Sequence, residues 1–181
     1  MNTDSKNSQT RSLWFERGDQ KFAVSMDCLY EVLSVTTLHP VPATEPALAG
    51  LTVLRGQVFP VLDPALLAGF EAPPVSASPV VVLLGVRGQP CLGLLAEKVG
   101  KVVGLSAPTP LSSKVRLRVA FSCETKHREM PRVFVLDIPA LAVALGLIAE
   151  SQLEEIPATP RLPTPAPDYS NRPQPTFTAG Q

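Results

Sequence analysis

Between Ser12 and Gly146, apolar and polar positions follow a period of two more than one of 3.6, which predicts strands. Val80 to Val86 is an unbroken apolar run between Pro79 and the turn Arg87-Gly88-Gln89, the pattern of a buried strand. Cys91 to Ala96 is read as its hairpin partner. Lys114 to Phe121 alternates, with Lys114, Arg116 and Arg118 on one face and Val115, Leu117, Val119 and Phe121 on the other. That period belongs to a strand with one wet face. Further strands are expected at Leu13–Arg17, Lys21–Ser25, Glu31–Leu38, Leu51–Leu54, Gln57–Leu62, Lys98–Leu105 and Val133–Leu136. Short spans divided by Gly and Pro turns predict an all-β fold, barrels or a sandwich.

Two short helices break the pattern, and they resemble each other. Val61-Leu62-Asp63-Pro64-Ala65-Leu66-Leu67 parallels Val135-Leu136-Asp137-Ile138-Pro139-Ala140-Leu141. In each, a strand runs into an aspartate able to cap the helix, with proline in the first turn. A duplicated strand-to-helix exit implies two similar β-modules. With about 135 residues to share, each module would be a small barrel of roughly five strands.

Composition changes near Glu150. Ser151 to Gln181 holds seven prolines, few aliphatics and no periodicity, too little apolar area to offset ordering entropy. The expected organisation is a disordered N-terminus at 1–11, one domain at 12–148, and a disordered proline-rich tail at 149–181. Pro160 and Pro163 form a PxxP, so a tail-binding partner stands as the alternative to a plain solvated tail. No apolar run approaches the ~20 residues of a membrane helix, and no hydrophobic stretch opens the chain. No direct membrane insertion and a cytoplasmic location are therefore expected, with Cys28, Cys91 and Cys123 as reduced thiols. Sixteen basic residues balance 16 acidic ones, which removes the long-range attraction that nucleic-acid binding relies on.

Catalytic chemistry has few candidates. His39 lies in His-Pro-Val-Pro, and His127 in the polar stretch after Cys123, read as a surface loop joining two strands. Cys123 and His127 could pair as thiol and imidazole or as two metal ligands, but no second ligand pair is near. No glycine-rich phosphate loop occurs. A non-enzymatic protein with no cofactor and no metal is expected. The competing classes are a thiol enzyme on Cys123 and His127, and a nucleic-acid-binding barrel, which 6% aromatics and zero net charge oppose.

The most specific feature is Gly50-Leu51-Thr52-Val53-Leu54-Arg55-Gly56-Gln57-Val58-Phe59-Pro60-Val61-Leu62-Asp63, an Arg-Gly turn between two apolar strands. Ahead of it stand Leu13–Phe15, Phe22–Val24, Glu31-Val32 and Pro42. After it come Val80–Leu84, Gly93-Leu94-Leu95, Val99–Val103 and Val135-Leu136-Asp137. Their order over residues 12 to 147 resembles the CheW-like family, the coupling proteins of bacterial chemosensory arrays. Three positions depart from the family's habit. Val53 stands where it usually has Asn, Ala96-Glu97-Lys98-Val99 where it commonly has Val-Asp-x-Val, and Val119-Ala120-Phe121-Ser122 where it often has a glycine.

The resemblance implies two SH3-like five-stranded β-barrels sharing a hydrophobic core, with short helices. It implies an adaptor that bridges the cytoplasmic hairpin tip of a chemoreceptor to the regulatory domain of a CheA-type histidine kinase, clustered at receptor arrays. Service in a twitching- or gliding-motility system is the alternative within the same class. The interaction residues it implies are Leu29, Glu31, Val32, Arg55, Gly56, Val58 and Val99, with Leu29, Val32, Val58 and Val99 lining a groove between the barrels. Glu31 and Arg55 are expected to pair at its edge, the guanidinium forked onto the carboxylate. Gly50, Pro60, Asp63, Gly93 and Asp137 are implied as structural.

Overall fold

The computed structural model describes residues 10–35, 37–42, 45–77, 79–105, 109–110, 120–124 and 132–152. In chain order the elements are β1 (Thr10–Arg17), β2 (Gln20–Ser25), a 3-10 turn (Met26–Cys28), β3 (Leu29–Ser34), β4 (Leu48–Leu54) and β5 (Gln57–Leu62). Next come α1 (Pro64–Leu67), β6 (Val80–Val86), β7 (Gln89–Ala96), β8 (Lys98–Leu105) and β9 (Thr109–Pro110). β10 (Ala120–Glu124), β11 (Arg132–Leu136), α2 (Ile138–Ala144) and a 3-10 turn (Glu150–Gln152) complete them.

Two sheets form, ordered β8-β1-β2-β11-β10-β9 and β3-β6-β7-β5-β4. Each is built on a hairpin, β1–β2 or β6–β7, whose second strand pairs in parallel with the strand that leads into a helix. The modules are not consecutive along the chain. β3 leaves the first hairpin and joins the second sheet, while β8 leaves the second hairpin and joins the first. The second sheet is therefore one stretch of chain, β3 to β7, inserted between β2 and β8 of the first. The first sheet holds a sixth, two-residue strand, β9, where five were expected.

Burial on both faces explains why the central strands read as continuous apolar runs. Phe15, Phe22, Val82, Leu84, Leu92, Leu94, Phe134, Leu136 and Leu141 form one core between the sheets. On the opposite face of the second sheet, Val61, Val81 and Leu95 bury with Val35; on that of the first, Ala23, Val103 and Val133 do the same. Strands covered on both faces have no polar side.

The largest difference from expectation is in the third strand. The third strand begins at Leu29 and ends at Ser34, not Glu31 to Leu38. Ser34 is opposite Val80, the Val35 amide donates to the Pro79 carbonyl, and proline has no N–H to carry the ladder on. The chain then crosses to β4, where His39 and Leu51 exchange both backbone hydrogen bonds at 2.8 Å. Of the strand expected at Lys114–Phe121, only residues 120–121 are described, inside β10; residues 114–119 lie outside the described residues. Cys123 is in β10 opposite Val133, not in a loop, while His127 lies outside the described residues. The expected N-terminal segment and proline-rich tail likewise lie almost wholly outside them.

Candidate partner-binding site

A two-residue turn, Arg55-Gly56, joins β4 to β5, with φ of 50° and 78°. Both central residues take the left-handed conformation that a tight hairpin turn of this kind demands. Glycine takes it without strain, whereas arginine does so against its conformational preference. Arg55 is therefore better explained by what its side chain does. Its Nη2 donates to Glu31 Oε2 at 3.1 Å and Oε1 at 3.4 Å. β3 and β4 are opposite edges of the second sheet, so the pair bridges the two ends of the strand order.

The expected fork does not form: one nitrogen makes both bonds, reaching end-on from the turn apex. The Arg55 side chain is 68% exposed and that of Glu31 36%. Such a pair contributes only ~0.2–1 kcal/mol to stability.

Exposed apolar residues stand near both charged residues along the chain. Counting back from the turn sets Val53 directly opposite Val58, and these side chains are 56% and 60% exposed. Val58 alternates with Pro60 and Leu62 along β5, and Leu62 enters the shared core. Val32 lies opposite Val82 and Leu29 opposite Leu84, both core residues, while Val99 lies opposite Phe15. All four residues expected to line the groove thus occupy the strand faces that look toward the shared core. Leu29 and Val99 pack against it, whereas Val32 and Val58 stay exposed. Tyr30, Val53 and Val102 are further exposed apolar residues, none of them expected in the site from the sequence. Val53 could have been found from the turn register alone.

The structural positions are occupied as follows. Asp63 caps α1 by accepting from the Ala65 amide at 2.9 Å, and Asp137 caps α2 by accepting from the Ala140 amide at 3.0 Å. Pro60 stands opposite Leu51, just before β5 begins to pair with β7. At Gly93 an added Cβ would come within 2.5 Å of Val81 Cγ1.

Sequence reasoning missed a buried ionic cluster. Arg17, at the end of β1, is buried with Asp63, each side chain 3% exposed. Arg17 Nε and Nη2 donate to Asp63 Oδ2 at 2.9 and 2.6 Å, and Nη2 also donates to the Pro73 carbonyl at 2.6 Å. Nη1 donates to Glu97 Oε1 at 3.1 Å and to the Pro74 carbonyl at 3.5 Å. The signal was present: Leu13, Phe15 and Arg17 share one face of a strand, and a cation in line with core residues needs a buried partner.

Two thiols lie against the shared core. Burial pushes the Cys28 thiol up to about 12, with the negative charges of Asp137, Asp27 and Cys91 adding to it. Burial also raises Cys91. Cys28 therefore stays protonated near neutrality and is a poor nucleophile. Because the folded state keeps a proton that the unfolded state releases above about pH 9, folding stability should fall as pH rises through that point. Alkaline unfolding of the wild type and of Cys28→Ala would check this: the variant is expected to lose part of the slope between pH 9 and 11. Among the described residues no group of three or more His, Cys, Asp or Glu could hold a metal ion.

Two interlocked β-modules around one core, with an ion pair and apolar side chains exposed along their edge strands, define a double-barrel domain that presents a surface. The chain belongs to the CheW-like domain family, which it matches over residues 11–144. It is 29% identical over 100 residues to the chemotaxis protein CheW of Rhizobium meliloti, covering 53% of this chain and 64% of that one. A probable chemotaxis protein CheW of Rhizobium etli matches with the same identity and coverage. The chain thus spans 64% of the length of these curated relatives. In structure it resembles the scaffolding protein TtCheW from Thermoanaerobacter tengcongensis, with a TM-score of 0.57 and 17% identity over 71% of this chain and 89% of that one. The shared fold is two SH3-like barrels around a common core.

Proposed function

We propose that this protein is a non-enzymatic adaptor of a bacterial chemosensory array. It couples the cytoplasmic hairpin tip of a chemoreceptor to the regulatory domain of a CheA-type kinase. The observation that carries the reading is the exposed Glu31–Arg55 pair, with exposed Val32, Val53 and Val58 within three residues of one or the other along the chain. Apolar side chains around a charge pair suit a contact with an apolar centre and a polar rim. Family membership supports the same role. The proposed site takes in β3 and β8, an edge of each sheet, and β5 next to the edge strand β4, and a helical hairpin would lie along Leu29, Val32, Val58 and Val99. No helix among the described residues is long and apolar enough to cross a membrane, so attachment to a membrane-bound array would come through the receptor.

The test is a calorimetric titration of the full chain with the receptor hairpin and with the kinase regulatory domain encoded in the same genome. Complexes of micromolar affinity are expected. No heat and no co-elution at ~100 μM of either partner would overturn the proposal, since that limit lies well above transient signalling contacts.

A further inference from the structure

Arg17 makes more contacts than a buried ion pair requires. Asp63 alone neutralises it, yet its guanidinium also reaches Glu97, whose side chain is 44% exposed. Glu97 is the single residue between β7 in the second sheet and β8 in the first. Its other oxygen, Oε2, accepts the Gly18 amide at 3.1 Å, and its own amide donates to the Glu16 carbonyl at 2.8 Å. The crossover is thus fastened to the end of β1 and to the β1–β2 turn.

The strand beyond the crossover has need of such an anchor. Among the described residues β8 is an edge strand that pairs with β1 alone. A register shift separates Val102, opposite Leu13, from Val99, opposite Phe15. Beyond that shift only the pairs Phe15↔Val99 and Glu16↔Lys98 hold the start of the strand. The backbone there is further committed by Gly100, which lies so close to the Trp14 indole that a Cβ would overlap the ring. Two ladder pairs at the end of an edge strand open easily, as low-stability segments do.

We infer that Arg17 is a positioning residue for the partner surface: through Glu97 it holds the bulged start of β8, and with it Val99, in place. Arg17 touches no partner itself. It is kept from water by Asp63 and the Pro73 carbonyl, and it spends its remaining nitrogen on the crossover. The inference rests on the adaptor reading for Val99's role, but its structural half does not.

Glu97→Ala in the full chain is the test, because Glu97 is exposed enough that its loss leaves no buried charge without water. Amide hydrogen exchange at positions 97 and 99 should accelerate at least ~10-fold, while amides in β6 and β7 keep their wild-type rates. Affinity for the receptor hairpin should fall about fivefold with the urea midpoint nearly unchanged. Glu97→Gln, which keeps an oxygen acceptor for Arg17 Nη1, should recover part of both effects. Unchanged exchange at 97 and 99 would overturn the inference whatever the partner does. Accelerated exchange with unchanged affinity, where Val99→Ala does weaken binding, would also overturn it, because the anchor would then not control the site. A wild type that binds neither receptor nor kinase would sink the adaptor reading instead, and the exchange result would still decide whether Arg17 holds β8.

Discussion

Arg17→Met should lower the free energy of unfolding by about 3–5 kcal/mol, the cost of breaking a buried ion pair from one side. Against a total of roughly 5–15 kcal/mol for a domain, that is enough to leave the protein barely folded. Methionine fills similar volume, so the loss is electrostatic. Asp63 would keep its bond from the Ala65 amide but lose both bonds from Arg17, in a site where its side chain is 3% exposed. The Pro73 carbonyl would lose its donor as well. Glu97 can turn to water and adds little. Combining Arg17→Met with Asp63→Asn removes the stranded charge while an amide oxygen still caps α1, so the double variant should recover roughly half of the loss. Urea denaturation with an unchanged slope would read both numbers. A single-variant loss under ~1 kcal/mol would mean that the carboxylate is hydrated and the cluster is not a buried one.

Gly50→Ala should be comparably damaging, for a backbone reason. Gly50 has φ of 153°, and a Cβ there would lie 2.6 Å from the His39 backbone oxygen. That oxygen accepts the Leu51 amide, and the His39 amide returns the bond to the Leu51 carbonyl, so the segment cannot retreat without breaking both. Backbone strain of about 1–3 kcal/mol and two hydrogen bonds at about 1 kcal/mol each predict a loss of roughly 2–5 kcal/mol. Gly56→Ala is the control. Its φ of 78° is also unfavourable to alanine, but nothing lies within 4 Å of the added carbon. It should cost only ~1–2 kcal/mol. Equal losses at the two positions would mean that the close approach of His39 does not matter.

Much of the fold was legible because most strands are short, apolar and bounded by Gly or Pro. Among the described residues ten of eleven strands overlap expected spans, and Asp63 and Asp137 announce the two α-helices. The insertion of the second sheet between β2 and β8 of the first was not legible, since pairing partners leave no local mark when central strands are apolar on both faces. β9, with two residues, is below the length at which alternation can be seen. At the site, Glu31 and Arg55 were brought forward by resemblance, and the structure sets them 3.1 Å apart. The missed fork is a consequence of the turn, where only the guanidinium tip comes within reach. Arg17 escaped notice because its partners are 46 and 80 residues away, distances at which no spacing rule operates.

The claim that the Glu31–Arg55 edge is where a receptor docks is tested most directly by a charge-swap cycle read in receptor-hairpin affinity. Arg55→Glu should weaken binding about 10-fold, or ~1.4 kcal/mol, because it sets two carboxylates together amid the exposed valines. Arg55→Lys should keep much of the affinity, since a single nitrogen makes the contact. Glu31→Arg combined with Arg55→Glu should restore part of the loss, with a coupling above the ~0.5 kcal/mol scatter of additive pairs. Strictly additive effects, or full affinity in Arg55→Glu, would contradict the assignment of this edge as the docking site.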